Sequence, residues 1–153
     1  MLGFLKAQEL EKMTFYIEEP GRDETNYPVG MNRTIYQLER KENSYTAVHT
    51  TVEFVEDDSV LEGYSYIEQV LESEVNERQY RQLKKAWQKY GVKNWGGFAA
   101  KEKETEKEPH FAMEMTFQDR RKLLAEGYGN WPKGYQEYVN FLRKFFGRLE
   151  RMA

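Results

Sequence analysis

A chain of 153 residues with 15% aromatic side chains and no cysteine has the material for one core, and it excludes disulfides and cysteine-based zinc sites. Its hydrophobic fraction is only 39% and its charged fraction 32%, but disorder is a poor reading, because disordered chains lack aromatics and each aromatic buries roughly 150–250 Å². The net charge of −3 is uneven: residues 1–75 hold 6 Lys+Arg against 16 Asp+Glu, and residues 76–153 hold 17 against 10.

That asymmetry has a bland reading, two surfaces facing water or each other, and a sharper one, a basic partner at the acidic end. No window approaches the roughly 20 apolar residues of a membrane span. The start, MLGFLKAQELEK, carries too short an apolar stretch for a signal peptide, so a cytoplasmic protein is expected.

In chain order, residues 2–13 suggest a short helix and 14–19 (TFYIEE) a strand stopped by Pro20 and Gly21. Residues 20–33, with two prolines and two glycines, read as a loop. Residues 34–41 and 45–56 alternate as strands, and Glu42-Asn43-Ser44 between them suits a tight hairpin. Residues 63–74 (GYSYIEQVLESE) read as a strand, with a helix as the alternative. Asn76 and Gln79 form a capping-box pattern for a helix over 77–90 that ends at Gly91. The charged stretch 99–109 predicts a mobile loop. Residues 110–117 alternate cleanly, and a short strand at 122–127 follows. The last helix, 133–150, gathers Tyr135, Tyr138, Phe141, Leu142, Phe145, Phe146 and Leu149 on one side.

These elements predict a single α+β domain over 1–153: a mostly antiparallel sheet of about five to six strands, with two main helices on one face. The other face stays at least partly open. Strand alternation then gives a candidate surface. If Val48, Val52 and Phe54 face the helices, His49 and Glu53 face outward. The same rule puts His110 and Glu114, Glu39, and Tyr64, Tyr66 and Glu68 on the open side, with Ile67 and Leu71 inward. Such residues are the ordinary wet side of an antiparallel sheet, and a clustered set of carboxylates and histidines is the functional reading.

Trp95-Gly96-Gly97-Phe98, Phe117-Gln118-Asp119, and Gly127 to Tyr135 with Asn130 and Pro132 together resemble a family of small uncharacterised bacterial domains. Its pattern is W-x-G-F, an F-x-D hairpin turn, then G-x-N-x-x-P before a final helix, and the likeness covers roughly residues 76–146. Gly129 stands where the family has Asn, and Arg120 where its turn has Gly. The resemblance implies the fold and no activity.

The sequence carries little recognisable chemistry. His49 and His110 lack metal-ligand spacing, and no phosphate-binding glycine loop or nucleophile elbow occurs, so no catalytic residue, metal or cofactor is assigned. The stripe Arg78, Arg81, Lys85, Lys89 carries no nucleic-acid motif, and nucleic-acid binding is not expected. The expectation is a non-enzymatic binding or regulatory protein, of the immunity or inhibitor type, taking a basic protein on Glu39, His49, Glu53, Tyr64, Tyr66, Glu68, His110, Glu114 and Trp131. The alternative is a small enzyme using the Glu/His cluster on a polar substrate. A monomer and a homodimer are both compatible with the sequence.

Overall fold

The computed structural model describes residues 9–22, 28–61, 63–98 and 109–152. Six strands make one antiparallel sheet: β1 (Leu10–Arg22), β2 (Pro28–Arg40), β3 (Tyr45–Glu56), β4 (Tyr64–Val75), β5 (His110–Phe117) and β6 (Lys122–Tyr128). Helix α1 (Glu77–Lys89) and a 3-10 turn (Val92–Trp95) follow β4, and helix α2 (Tyr135–Met152) follows β6. The spatial order is β4-β3-β2-β1-β5-β6. The first four strands form a meander, and the stretch through α1 carries the chain from the β4 edge back to the far side of β1.

The α+β class, the antiparallel sheet and the strand over 63–74 agree with the sequence reading. Two boundaries differ. Residues 10–13 belong to β1, where Leu10 and Met13 are fully buried, and not to a helix. Residues 20–22 and 28–33 extend β1 and β2, because the β1–β2 ladder runs on past Pro20↔Met31 to Gly21↔Gly30. Ladder hydrogen bonds to a neighbouring strand outweigh the turn propensity of Pro and Gly here. The expected loop at 99–109 lies outside the described residues, except Pro109.

One sheet face holds the core. Met13, Phe15 and Ile17, then Tyr36 and Leu38, Tyr45 and Ala47, and Phe111, Met113 and Met115 all project to it. Helix α1 begins at the expected box: Asn76 Oδ1 accepts from the Gln79 N–H, and the Gln79 side chain accepts from the Asn76 N–H, both at 2.9 Å. It buries Tyr80, Leu83, Ala86 and Trp87.

Polar tips of the buried aromatics find partners within the core. The Tyr80 hydroxyl accepts from the Leu10 N–H (2.9 Å), the Tyr45 hydroxyl donates to the Leu10 carbonyl (2.8 Å), and Trp87 Nε1 donates to Tyr138 (3.0 Å). These bonds let large amphipathic rings replace aliphatic filler without an unpaired polar atom.

Helix α2 crosses the sheet obliquely. Its Tyr135 packs against Phe111 on β5, while Phe146 lies over Tyr36 on β2 and near His49 on β3. The approach to α2 depends on Gly134, whose φ is +86° and where a Cβ would stand 2.2 Å from the Tyr90 carbonyl oxygen. Trp95 Nε1 donates to the adjacent Lys133 carbonyl at 2.9 Å, tying the 3-10 turn to the same place.

Candidate functional site

The face away from the helices is the candidate surface, and cross-strand register fixes its occupants. Residues directly opposite one another in an antiparallel ladder share a face. Across the sheet, Glu72, Val48, Gln37, Thr14, Glu114 and Leu124 form one row, and Val70, Thr50, Ile35, Tyr16, Ala112 and Glu126 the next. Glu68, Val52, Arg33, Glu18, His110 and Tyr128 form a third. Tyr64 and Tyr66 continue it beyond Glu68 on β4, and Glu39 and Glu74 lie at the opposite end.

This corrects the phase expected for β3. His49 and Glu53 project to the helix side, and Val48, Val52 and Phe54 to the open side. The hairpin sets the register: Lys41 N–H donates to the Ser44 carbonyl (2.8 Å), which pairs Leu38 with Ala47 and Tyr36 with His49. Tyr36, Leu38, Tyr45 and Ala47 are buried, so the odd positions of β3 must face the core. Strand β3 is apolar on both sides, and alternation alone gives no phase for such a strand.

His49 therefore has a structural setting. Its ring stacks on Tyr36 (centroids 4.7 Å apart, planes 14° apart) and lies beside Phe146 at 5.9 Å, and its Nδ1 is 2.6 Å from Glu150 Oε1 on the last turns of α2. The pair fastens the end of α2 to β3. Glu53, further along β3, is exposed beyond the helices.

Of the remaining candidates, Tyr64, Tyr66 and Glu68 lie on the open face at the β4 edge, His110 and Glu114 on the same face on β5, and Glu39 at the hairpin end of β2. On β3 and β4, Phe54 stacks on Tyr64 (4.8 Å) and meets Tyr66 edge-on (5.3 Å). Tyr66 is 55% exposed. The Phe54 ring also lies over the backbone at Gly30, where any Cβ would come within 2.4 Å of it. The Glu68 carboxylate borders this cluster on the same face, and Glu72, Glu74 and Glu39 follow toward the opposite end of the strands.

At the other end, His110 stacks on Tyr128 (4.1 Å, planes 7° apart) and its Nε2 is 3.2 Å from Glu126 Oε1. The Tyr16 hydroxyl donates to Glu18, which also faces Arg33 at 3.9 Å. Burial, reinforced by that carboxylate, pushes the Tyr16 hydroxyl up to about 12. The hydrogen bond with Glu126 is the main cause that raises the Tyr128 hydroxyl. Glu114 is exposed and paired with Lys122 at 3.5 Å.

His49 and Glu53 thus lie on one face, and His110 and Glu114 on the other, so the four do not converge on one pocket. Trp131 stacks on Tyr135 (4.7 Å) and packs against Phe111 (5.7 Å). It belongs to the rim of the helix-side core, not to the open face, although it is 41% exposed.

Two open depressions lie away from these clusters. One of about 690 Å³ is bordered by Thr46, Glu72, Glu74 and Asn76, and one of about 630 Å³ by Tyr90, Trp95, Phe98 and Trp131. Among the described residues, no group of three or more His, Asp or Glu is placed to hold a metal ion.

The residues that sequence reasoning missed are Val48, Val52, Ile35 and Val70. They give the uncovered face an apolar middle, with the acidic residues around it. The signal was available in β3, where Val48, Val52 and Phe54 alternate with Tyr45 and Ala47, so that one apolar set had to look away from the core. No family model, curated protein or solved structure matches the chain. Among the described residues, no helix is long and apolar enough to cross a membrane.

Proposed function

We propose that this chain is a non-enzymatic binding protein of the immunity or inhibitor type, acting in the cytoplasm, that takes a basic protein partner on its uncovered sheet face. One observation carries the reading. The face has an apolar and aromatic centre (Val48, Val52, Ile35, Val70, Phe54, Tyr66) with carboxylates at its margins (Glu39, Glu68, Glu72, Glu74). Protein interfaces combine a desolvated apolar core with a polar rim, whereas the wet side of an ordinary sheet is polar throughout. The acidic rim supplies the sign of charge that steers a basic partner. The absence of cysteine suits a reducing compartment.

The immobilised full chain, exposed to a lysate of its source cells, tests this. The double reversal Glu39→Lys with Glu68→Lys should remove the basic proteins captured by the wild type. Glu53→Lys, on the other face, should leave them in place. Equal loss in both variants, or in neither, contradicts the assignment of the face.

A further inference from the structure

The two edges of the sheet are treated differently. On β6, a seven-residue strand, the outer edge is occupied: the Gly97 N–H donates to the Leu124 carbonyl (3.0 Å), and the Glu126 N–H donates to the Phe98 carbonyl (3.1 Å). On β4, a twelve-residue strand, no described residue pairs with the outer edge. Natural edge strands are commonly kept short, bulged, or guarded by Pro or charged side chains, Lys above all; the charges of β4 are Glu68, Glu72 and Glu74. Strand β4 (YSYIEQVLESEV) pairs with β3 without a register shift and contains no Pro, Gly, Lys or Arg. It exposes apolar side chains on both faces: Tyr66 (55%) and Val70 (54%) on the open side, Ile67 (56%) and Leu71 (36%) on the helix side.

We propose that two copies of this chain join antiparallel along β4, with Gln69 opposite Gln69 of the second copy, into one continuous sheet. The occupant follows from charge register. A two-fold antiparallel pair must centre on a residue, because opposed residues share a face. Centring on Glu68 sets that carboxylate against itself. Centring on Val70 sets Glu68 against Glu72 twice, and centring on Leu71 sets Glu68 against Glu74. Like charges directly opposite destabilise a sheet.

Centring on Gln69 opposes every glutamate of β4 with a neutral residue: Glu68 with Val70, Glu72 with Tyr66 and Glu74 with Tyr64. It also pairs Ile67 with Leu71 twice, covering the apolar side chains that the helices leave bare. Centring on Ile67 avoids glutamate pairs too, but shortens the ladder and leaves Glu72 and Glu74 outside it. The Gln69 register uses residues 64–74, all of the strand but Val75. This inference stands on the β4 edge alone and needs no basic partner.

Sedimentation equilibrium of the full chain, at about 100 µM because association depends on protomer concentration, should give about twice the 18.3 kDa chain mass. Ile67→Lys with Leu71→Lys sets ammonium groups against each other across the two-fold and should return the mass to one chain, with an unchanged far-ultraviolet dichroism spectrum. The natural chain has no thiol, so Gln69→Cys introduces a single one. Opposed residues lie about 4.5–5.5 Å apart at Cα, inside the roughly 4.4–6.8 Å that a disulfide accepts. Mild oxidation should therefore link Gln69→Cys chains in pairs and leave Glu53→Cys chains unlinked. A wild-type mass of one chain, a double-lysine variant that keeps the doubled mass, or linkage at Glu53 in place of Gln69 would each overturn the proposal.

Discussion

Arg120 carries the clearest local cost in the molecule. It lies in the left-handed region at φ 72°, as the last residue of the β5–β6 hairpin loop, where the Phe117 N–H donates to the Arg121 carbonyl and the Arg120 N–H donates to the Phe117 carbonyl, both at 2.9 Å. Hairpin loops of this kind favour glycine at that position. A side chain in this region costs roughly 1–2 kcal/mol, partly offset by the extra freedom glycine gains when unfolded. Arg120→Gly should therefore raise stability by about 0.5–1 kcal/mol, read from the urea midpoint at unchanged slope. A lowered midpoint would mean the Arg120 side chain makes contacts that outweigh its strain. Gln118-Asp119-Arg120-Arg121 reads as a turn in the sequence, while the left-handed backbone at Arg120 comes only with the structure. His49 could not be read the same way. Its tie to Glu150 spans a separation of 101 residues, which no local pattern encodes. His49→Ala should cost about 1–3 kcal/mol, the worth of a hydrogen bond to a charged group plus an aromatic stack. A loss below a few tenths of a kcal/mol would contradict its role in fastening α2.

At the scale of elements, legibility followed the strength of one-sided patterns. Helix α1 was readable because Asn76, Gln79 and the Tyr80–Trp87 stripe agree, and its cap is present as expected. Asn76→Ala should lower stability by about 1 kcal/mol, and Asn76→Asp should restore most of it; equal losses in both variants would exclude the cap as the cause. Strand β5 was also readable, because Phe111, Met113 and Met115 alternate with polar residues. Strand β3 was not, since both of its faces are apolar and only pairing with β2 decides between them. The early ends of β1 and β2 were hidden for the opposite reason: Pro20, Gly21, Pro28 and Gly30 signal a turn locally, while the ladder between the strands continues. Candidate residues on one-sided strands (His110, Glu114, Glu39) were placed correctly, and those on the two-sided strand (His49, Glu53) were placed on the wrong face.

The whole molecule is an aromatic core on one side of a sheet and an apolar-centred face on the other, and each makes a prediction. In the core, burial is the first cause that raises the hydroxyls of Tyr36, Tyr45, Tyr80, Tyr135 and Tyr138 above the ordinary 10.0. Tyr16 on the open face is raised to about 12. A raised folded-state value favours the protonated form, so the stabilisation is complete below pH 10 and is lost as pH rises through the folded values. For Tyr16 that window is pH 10 to about 12. Stability from urea titrations should fall steeply above pH 10, and the tyrosinate absorbance of the buried rings should rise only as the protein unfolds; tyrosinate forming fully before unfolding would contradict the burial of these hydroxyls. For the open face, the most direct measurement is Val48→Gln with Val52→Gln, followed by melting temperature and capture of the basic partner on the immobilised chain. The variant should stay folded, with a modestly lowered melting temperature because Val48 and Val52 are half-buried on the uncovered face and lie outside the packed core, and should no longer hold its partner. Unfolding of the variant, or a folded variant with undiminished capture, would contradict it.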